Sequence, residues 1–360
     1  MASGEPSLYS SPPVMAPKLQ QKSAKAVPLT CHGHSRPVTH LSFSDIVDDN
    51  QYYLISACKD NNPMLRDGVT GDWIGTFIGH KGACWQARLS SDATLAATAS
   101  ADFSAKVWDT HTGECLHTLQ HAHIVRAVAF PSQPRPQILA TGGFEKKLML
   151  YDLSVTGSSP RSDSSSPTSP TFHQANGNIA PPPGFEIGAG AHKSTIRSII
   201  WGSNPNVLIT ACEDKQIRWF DIRSRDSIAS YTLDGPIGSC ELNPSGSTLS
   251  VAAGKTAYFF SGPNLTQLHK SVTLPTDIAA VAVHEGDRKF VTSGNQDTWV
   301  KVWDLDAAGA KEPLDVWKGH HGPIWSLGFS PDGKICASGS EDGTVKLWKF
   351  CDGGYGLWKN

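Results

Sequence analysis

Two stretches of the chain carry the residue types of a nucleophilic hydrolase. His80, Thr98 and Asp102 are followed by Trp108, and His320, Ser338 and Asp342 by Trp348. A hydroxyl beside an imidazole that a carboxylate orients is the arrangement that activates Ser or Thr for acyl transfer. The spacing argues against that chemistry. In both sets the hydroxyl residue stands four before the Asp and the Trp six after it. Incomplete copies recur: His34, Ser56 and Asp60 with Arg66; His121, Thr141 and Glu145 with Tyr151; His192, Thr210 and Asp214 with Phe220; and Ser293, Asp297 and Trp303 without a His. An enzyme needs one site, whereas a trio repeated along the chain answers a repeated structural need, the pairing of polar groups buried in sheets. No paired-carboxylate signature, phosphate-binding glycine loop or Cys/His cluster of useful spacing accompanies them. No catalytic, cofactor-binding or metal-binding residue is therefore assigned, and an enzyme is not expected.

The elements that must position these residues are short strands. From Gly319 to Phe350, alternating apolar runs are split by Ser330-Pro331-Asp332-Gly333 and by Glu341-Asp342-Gly343, both hairpin signals. The unit recurs. Its openers are His34, His80, His121, His192, Leu233, Leu274 and His320, each with an apolar residue nine positions on: Phe43, Leu89, Phe130, Trp201, Leu242, Val283 and Phe329. The steps between openers are 46, 41, 71, 41, 41 and 46 residues, the long one holding about 30 extra Ser/Pro-rich residues. A period of about 40–45 residues punctuated by Gly-His and Trp-Asp resembles the WD-repeat β-propellers. The expected fold is all-β, seven blades of four strands. The last repeat supplies only three strands, so Val27–Cys31 should pair beside Thr344–Phe350 and close the ring, removing an open sheet edge. Blade 5, with Gly254 where the Asp should stand, should be the least rigid.

The division expected is a disordered tail over 1–26, a propeller over 27–352 and a C-terminal tail over 353–360. A disordered insertion interrupts it at 154–183, a composition that cannot bury a core. Ser159, Ser166 and Ser169, each followed by Pro, read either as sites for proline-directed kinases or as incidental pairs in a tolerated loop. With a net charge of −2 in 360 residues, no strongly basic field steers the chain to nucleic acid or membrane. RNA contact should be indirect or weak, and no membrane insertion or small-molecule substrate is expected. The eight Cys read as buried reduced thiols of a cytosolic or nuclear protein.

A propeller without a catalytic constellation is usually a scaffold that docks proteins around its channel. The residue five after each opener should start the inner strand near the top face: Thr39, Trp85, Arg126, Arg197, Gly238, Ala279 and Trp325. The residue before each turn Asp should share that rim: Lys59, Ala101, Phe144, Glu213, Ala253, Gln296 and Glu341. Trp and Arg are enriched in interface hot spots, so Lys59, Trp85, Arg126, Arg197, Glu213, Trp325 and Glu341 are the candidate partner-binding residues, over blades 1–4 and 7. The two Trp read equally as inter-blade packing; the two Arg should be exposed, because an unpaired buried Arg is costly.

Several segments go beyond generic repeats: Pro28 to Cys31 with Gly33-His34, Leu54 to Asp60, Pro63 to Arg66, Thr70 to Phe77, Gly79 to Ala83, Ala105 to Asp109 and Tyr355 to Lys359. Together they resemble the family of the serine/threonine kinase receptor-associated protein, also called unr-interacting protein. The resemblance implies a non-enzymatic, monomeric propeller within a survival-of-motor-neuron-type complex that loads Sm proteins onto spliceosomal snRNAs. It also implies a cytoplasmic and nuclear location, and receptor and Smad contacts as in animal members. Two rivals share the fold. One is the propeller subunit of translation initiation factor three. The other is a cullin ubiquitin ligase substrate receptor, suggested by Trp219-Phe220-Asp221-Ile222-Arg223, where Phe replaces the motif Trp. A rival of another class is direct RNA binding through Lys59, Trp85, Arg126 and Arg197.

Overall fold

The computed structural model describes residues 26–154, 182–307 and 312–358. The N-terminal tail, most of the Ser/Pro-rich insertion and Ser159, Ser166 and Ser169 lie outside them. Among the described residues the strands form seven four-stranded antiparallel sheets. The inner strands are Val38–Phe43, Cys84–Leu89, Val125–Ala129, Ile196–Trp201, Ile237–Leu242, Ile278–His284 and Ile324–Phe329. Each is followed by two strands that run nearly continuously buried and, except in blade 7, by a more exposed outer strand, such as Cys115–Gln120 in blade 2. Inner strands of neighbouring blades pack on one another, which gives a seven-bladed β-propeller. Among the described residues, no helix is long and apolar enough to cross a membrane.

Ring closure follows the expected route. Leu29–Cys31 pairs antiparallel with the last strand, Leu29 opposite Leu347 and Cys31 opposite Val345. The C-terminal tail then covers this seam. Tyr355 shares a hydroxyl hydrogen bond with Tyr52 of blade 1 at 3.0 Å and donates to Asp332 of blade 7. Trp358 donates its indole N–H to Val27 O at 3.0 Å. Gly71, in the outer turn of blade 1, sits at φ +77°, and a Cβ there would lie 2.6 Å from Cys31 Sγ. Gly71→Ala combines a left-handed backbone penalty with a forced shift of the closing strand. It should cost about 2 kcal/mol in urea unfolding; Gly113→Ala, at φ +74° with open space around it, should cost only the backbone part.

One feature repeats in every inner strand. The register slips over its first residues, between Val38 and His40, Cys84 and Gln86, Val125 and Ala127, Ile196 and Ser198, Ile237 and Ser239, Ile278 and Ala280, and Ile324 and Ser326. The skipped residue is a β-bulge, which frees its side chain from the ladder and re-aims it. The seven bulge residues are Thr39, Trp85, Arg126, Arg197, Gly238, Ala279 and Trp325. The residue after each bulge often bonds the next blade's backbone: Ser326 Oγ accepts from Leu41 N, Gln86 Oε1 from Val128 N and Ser239 Oγ from Val281 N, while Ser198 donates to Cys240 O. At Gly238 a Cβ would lie 2.3 Å from Ala279 O, so blades 5 and 6 close on each other there and leave no room for a projecting side chain.

Candidate functional site

The Ser/His/Asp sets are internal clamps. In blade 2 the Trp108 indole N–H donates to Thr98 Oγ1 (2.8 Å), Thr98 bonds His80 Nε2 (2.7 Å), and His80 Nδ1 faces Asp102 (2.8 Å). Blade 7 repeats the chain through Trp348, Ser338, His320 and Asp342 at 2.8, 2.8 and 2.9 Å. Both hydroxyls are fully buried beneath a Trp, so no substrate reaches them. Burial raises the Asp102 carboxyl, but hydrogen bonds from His80, Ser104 and the Lys81 N–H outweigh it and hold the group well below the usual carboxylate range.

The other blades vary this theme. In blade 3, His121 bonds Thr141 (3.2 Å) and Tyr151 (3.5 Å) and pairs with Glu145 (3.5 Å). In blade 1, His34 bonds Asp60 and Ser56 at 3.0 and 2.8 Å. Arg66, in the Trp place, is 98% buried, has no carboxylate partner among the described residues, and donates to the carbonyls of His32 and Gly71. Cys58 lies beside His34 and Asp60 at ligand spacing. Burial pushes its thiol up to about 12, and it donates to Arg36 O at 3.0 Å. Both His34 nitrogens are also engaged, so these atoms serve the clamp. Blade 5, where no His or turn Asp stands, ties Tyr258 to Asp234 at 2.6 Å.

Two expectations are corrected. Asp214 in blade 4 does not hold His192. It takes a bidentate contact from Arg218 at 2.6 and 3.1 Å, leaving His192 Nδ1 buried without a partner. In blade 6 the Trp303 indole donates to Thr292 at 2.8 Å, whereas Ser293 donates to Ile324 O. Thr292 lies opposite Lys301 as Thr98 lies opposite Lys106, but the intervening turn is one residue longer, so counting back from Asp297 lands one position late. Thr292→Val keeps the shape and strands a buried indole N–H; it should cost about 1–3 kcal/mol in urea unfolding.

The bulges assemble a ladder at the channel mouth. Lys59 Nζ lies 4.2 Å from the Trp325 ring centre and 5.5 Å from that of Trp85, and the Arg126 guanidinium covers Trp85 at 4.0 Å. Arg197 follows on blade 4, 3.6 Å from Glu213. Blades 7, 1, 2 and 3 are thereby joined in one arc, and Arg197 of blade 4 lines the same cavity as Trp325, Trp85 and Arg126. Trp85 and Trp325 are half-buried, both packed and accessible. Arg126 and Arg197 are half-buried too, rather than freely exposed: Arg126 sits over an aromatic face and Arg197 beside Glu213. Burial, then repulsion from Arg197, brings the Arg126 guanidinium down to about 10 against the pull of Glu213. Glu341 stands exposed on the turn of blade 7, outside the stack.

Two neighbouring features were not foreseen. His40 and Arg88 reach across the channel to Glu241 of blade 5, at 3.0 and 2.8 Å. Glu241 lines both a cavity of about 70 Å3 toward the mouth and one of about 410 Å3 toward the opposite face. The available signal is a single charged residue in an otherwise uncharged inner strand, as Arg88 is in Cys84–Leu89. Outside the mouth, His123 stacks on Phe144 (5.2 Å, 7°) and packs against Phe103 (5.3 Å). Phe103 is 41% and Phe144 37% exposed.

The WD domain, G-beta repeat family model matches residues 71–109, 113–152, 188–221 and 311–349. The serine-threonine kinase receptor-associated protein of Bos taurus is 41% identical over 93% of the chain and 86% of its own length. That of Dictyostelium discoideum is 38% identical over 89% and 98%. A eukaryotic translation initiation factor 3 subunit I, from Culex quinquefasciatus, is 29% identical over 90% and 96%.

Proposed function

The chain belongs to the WD-repeat family of the serine-threonine kinase receptor-associated protein, and on that premise we propose that it is an accessory subunit of a survival-of-motor-neuron-type complex. In that role it helps load Sm proteins onto spliceosomal snRNAs in the cytoplasm and nucleus. Its class is a WD-repeat propeller that works as a non-catalytic interaction scaffold. The observation carrying the finer reading is 41% identity to the bovine relative across 86% of that protein. The partner's landing place, in this reading, is the arc from Trp325 through Lys59, Trp85 and Arg126 to Arg197. A signalling role is the second reading, taken from the relatives' name, which speaks of association with a serine-threonine kinase receptor.

The rivals have less behind them. The initiation-factor subunit is 29% identical, against 38–41% for the receptor-associated proteins. In the short box that suggests a cullin receptor, Arg223 is held by Asp221 of its own turn at 2.7 Å. Direct RNA binding draws little support from a net charge of −2. Affinity purification of the tagged chain from its own cells should recover Sm-ring assembly subunits. Recovery of initiation factor three or cullin-ligase subunits in their place would overturn the proposal.

A further inference from the structure

Resting on the scaffold reading, we propose that the channel mouth is a carboxylate reader: it binds an acidic peptide segment of the partner, seating an Asp or Glu side chain between Arg126 and Arg197 while a neighbouring apolar residue covers Phe103, His123 and Phe144. Three observations lead there. The first is uncompensated charge. Among the described residues Arg126 has neither a carboxylate nor a hydrogen-bond partner, only the Trp85 face at 4.0 Å. Arg197 has Glu213 alone, at 3.6 Å, and Lys59 lies over two Trp rings.

The second is the sign of the leftover hydrogen-bonding capacity. In the cavity beneath the mouth, Thr39 and Ser198 give their hydroxyl hydrogens to Cys84 O and Cys240 O. The oxygens of Glu241 are taken by His40 and Arg88. The guanidinium N–H groups remain, so the complementary ligand is acceptor-rich and anionic. The cavity, about 70 Å3, has room for a carboxylate head. The third is the aromatic surface beside it. Phe103 keeps a left-handed backbone (φ +67°) with its ring exposed. Phe144 N bonds Ile124 O, two residues before Arg126 and just ahead of its strand, so the aromatic patch and the guanidinium share one rim. Like-charged groups facing the pocket come from blades 1, 3 and 4, and the facing carboxylates are Glu213 and the engaged Glu241.

The test uses the full chain and a fluorescein-labelled Glu-Glu-Phe-Glu-Glu-Phe peptide, with the matching Gln peptide, inositol hexakisphosphate and a ten-nucleotide oligouridylate as comparisons. The Glu peptide should bind at least ten-fold tighter than the Gln peptide, weaken as salt rises, and shift the Trp85 indole N–H resonance. Arg126→Gln and Arg197→Gln, each checked for an unchanged melting temperature, should each lose about ten-fold. Arg126→Lys, which keeps the charge, should bind more tightly than Arg126→Gln. Equal binding of the Gln peptide, indifference to both Gln variants, or tighter binding of the oligouridylate or the inositol phosphate would overturn the proposal. If the double Gln variant still recovers the cellular partners, the carboxylate reader falls and the scaffold reading stands. If the wild-type chain recovers none while the Glu peptide binds as described, the reverse holds.

Discussion

Trp348→Ala should lower the free energy of unfolding by about 4 kcal/mol. Trp348 is 99% buried where the ring closes. Its ring stacks on Trp317 of blade 6 with centres 5.4 Å apart and planes 20° apart. A Cβ on Gly319 would come within 3.2 Å of its far edge. Its indole N–H ends the chain Ser338, His320, Asp342. Truncation leaves a cavity between blades 6 and 7 and removes the donor that fixes Ser338. Trp348→Phe, the residue type blade 4 carries at Phe220, should lose roughly half as much. Lys349→Ala, next on the strand and partly exposed, should lie within about 0.5 kcal/mol of wild type. Urea unfolding of the three variants measures this; a Trp348→Ala midpoint close to that of Lys349→Ala would show that the clamp contributes nothing.

Acid should destabilise the fold before its carboxylates titrate. Burial lowers the imidazole pKa of His40, His121, His192 and His320. For His192, burial followed by the Arg218 charge brings it to about 4, against an opposing pull from Asp214. The unfolded chain, with imidazoles near 6.5, binds protons first as pH falls. The stability from a depressed imidazole is thus full above 6.5 and is lost as pH drops toward 4. For His192 alone the loss across that window is up to about 3 kcal/mol. A second window follows. Burial raises Asp60, but hydrogen bonds from His34, Asn62 N and Ser35 N bring it to about 2. Asp102 and Asp342 lie lower still for the same reason. Their contribution is full above about 4 and fades toward 2. Urea unfolding at pH 7, 5 and 3 should therefore fall in two stages, and His192→Gln should flatten the first. Equal stability at pH 7 and 5 would contradict the buried neutral histidines.

Much of this architecture is written in local patterns. The openers, turn residues and Trp positions carry the blades because each is fixed within one hairpin's length. The bulge residues were legible as positions, since each stands five after its opener, though a sequence does not say that the register slips there. What escaped lies in longer-range or smaller-scale geometry. Glu241 meets His40 across 201 residues, a distance no spacing rule spans. Asp214 could face either His192 or Arg218, and only the packed blade decides between them. A single extra turn residue moved the blade 6 clamp from Ser293 to Thr292. Blades 1, 5 and 6, where Arg66, Tyr258 and the longer turn replace clamp elements, lie largely outside the four stretches matched by the repeat model.

The scaffold reading rests on the family match; the proposed docking site is the separate claim that a partner lands on the Trp325–Lys59–Trp85–Arg126–Arg197 arc. The decisive measurement is the affinity of one purified partner, recovered from the protein's own cells, for wild type and for Trp85→Ala/Arg126→Ala/Arg197→Ala, both verified folded by melting. Hot-spot truncations of about 2 kcal/mol or more apiece predict at least a hundred-fold loss in the triple variant. Unchanged affinity would contradict the arc as the docking site and move the partner to another face.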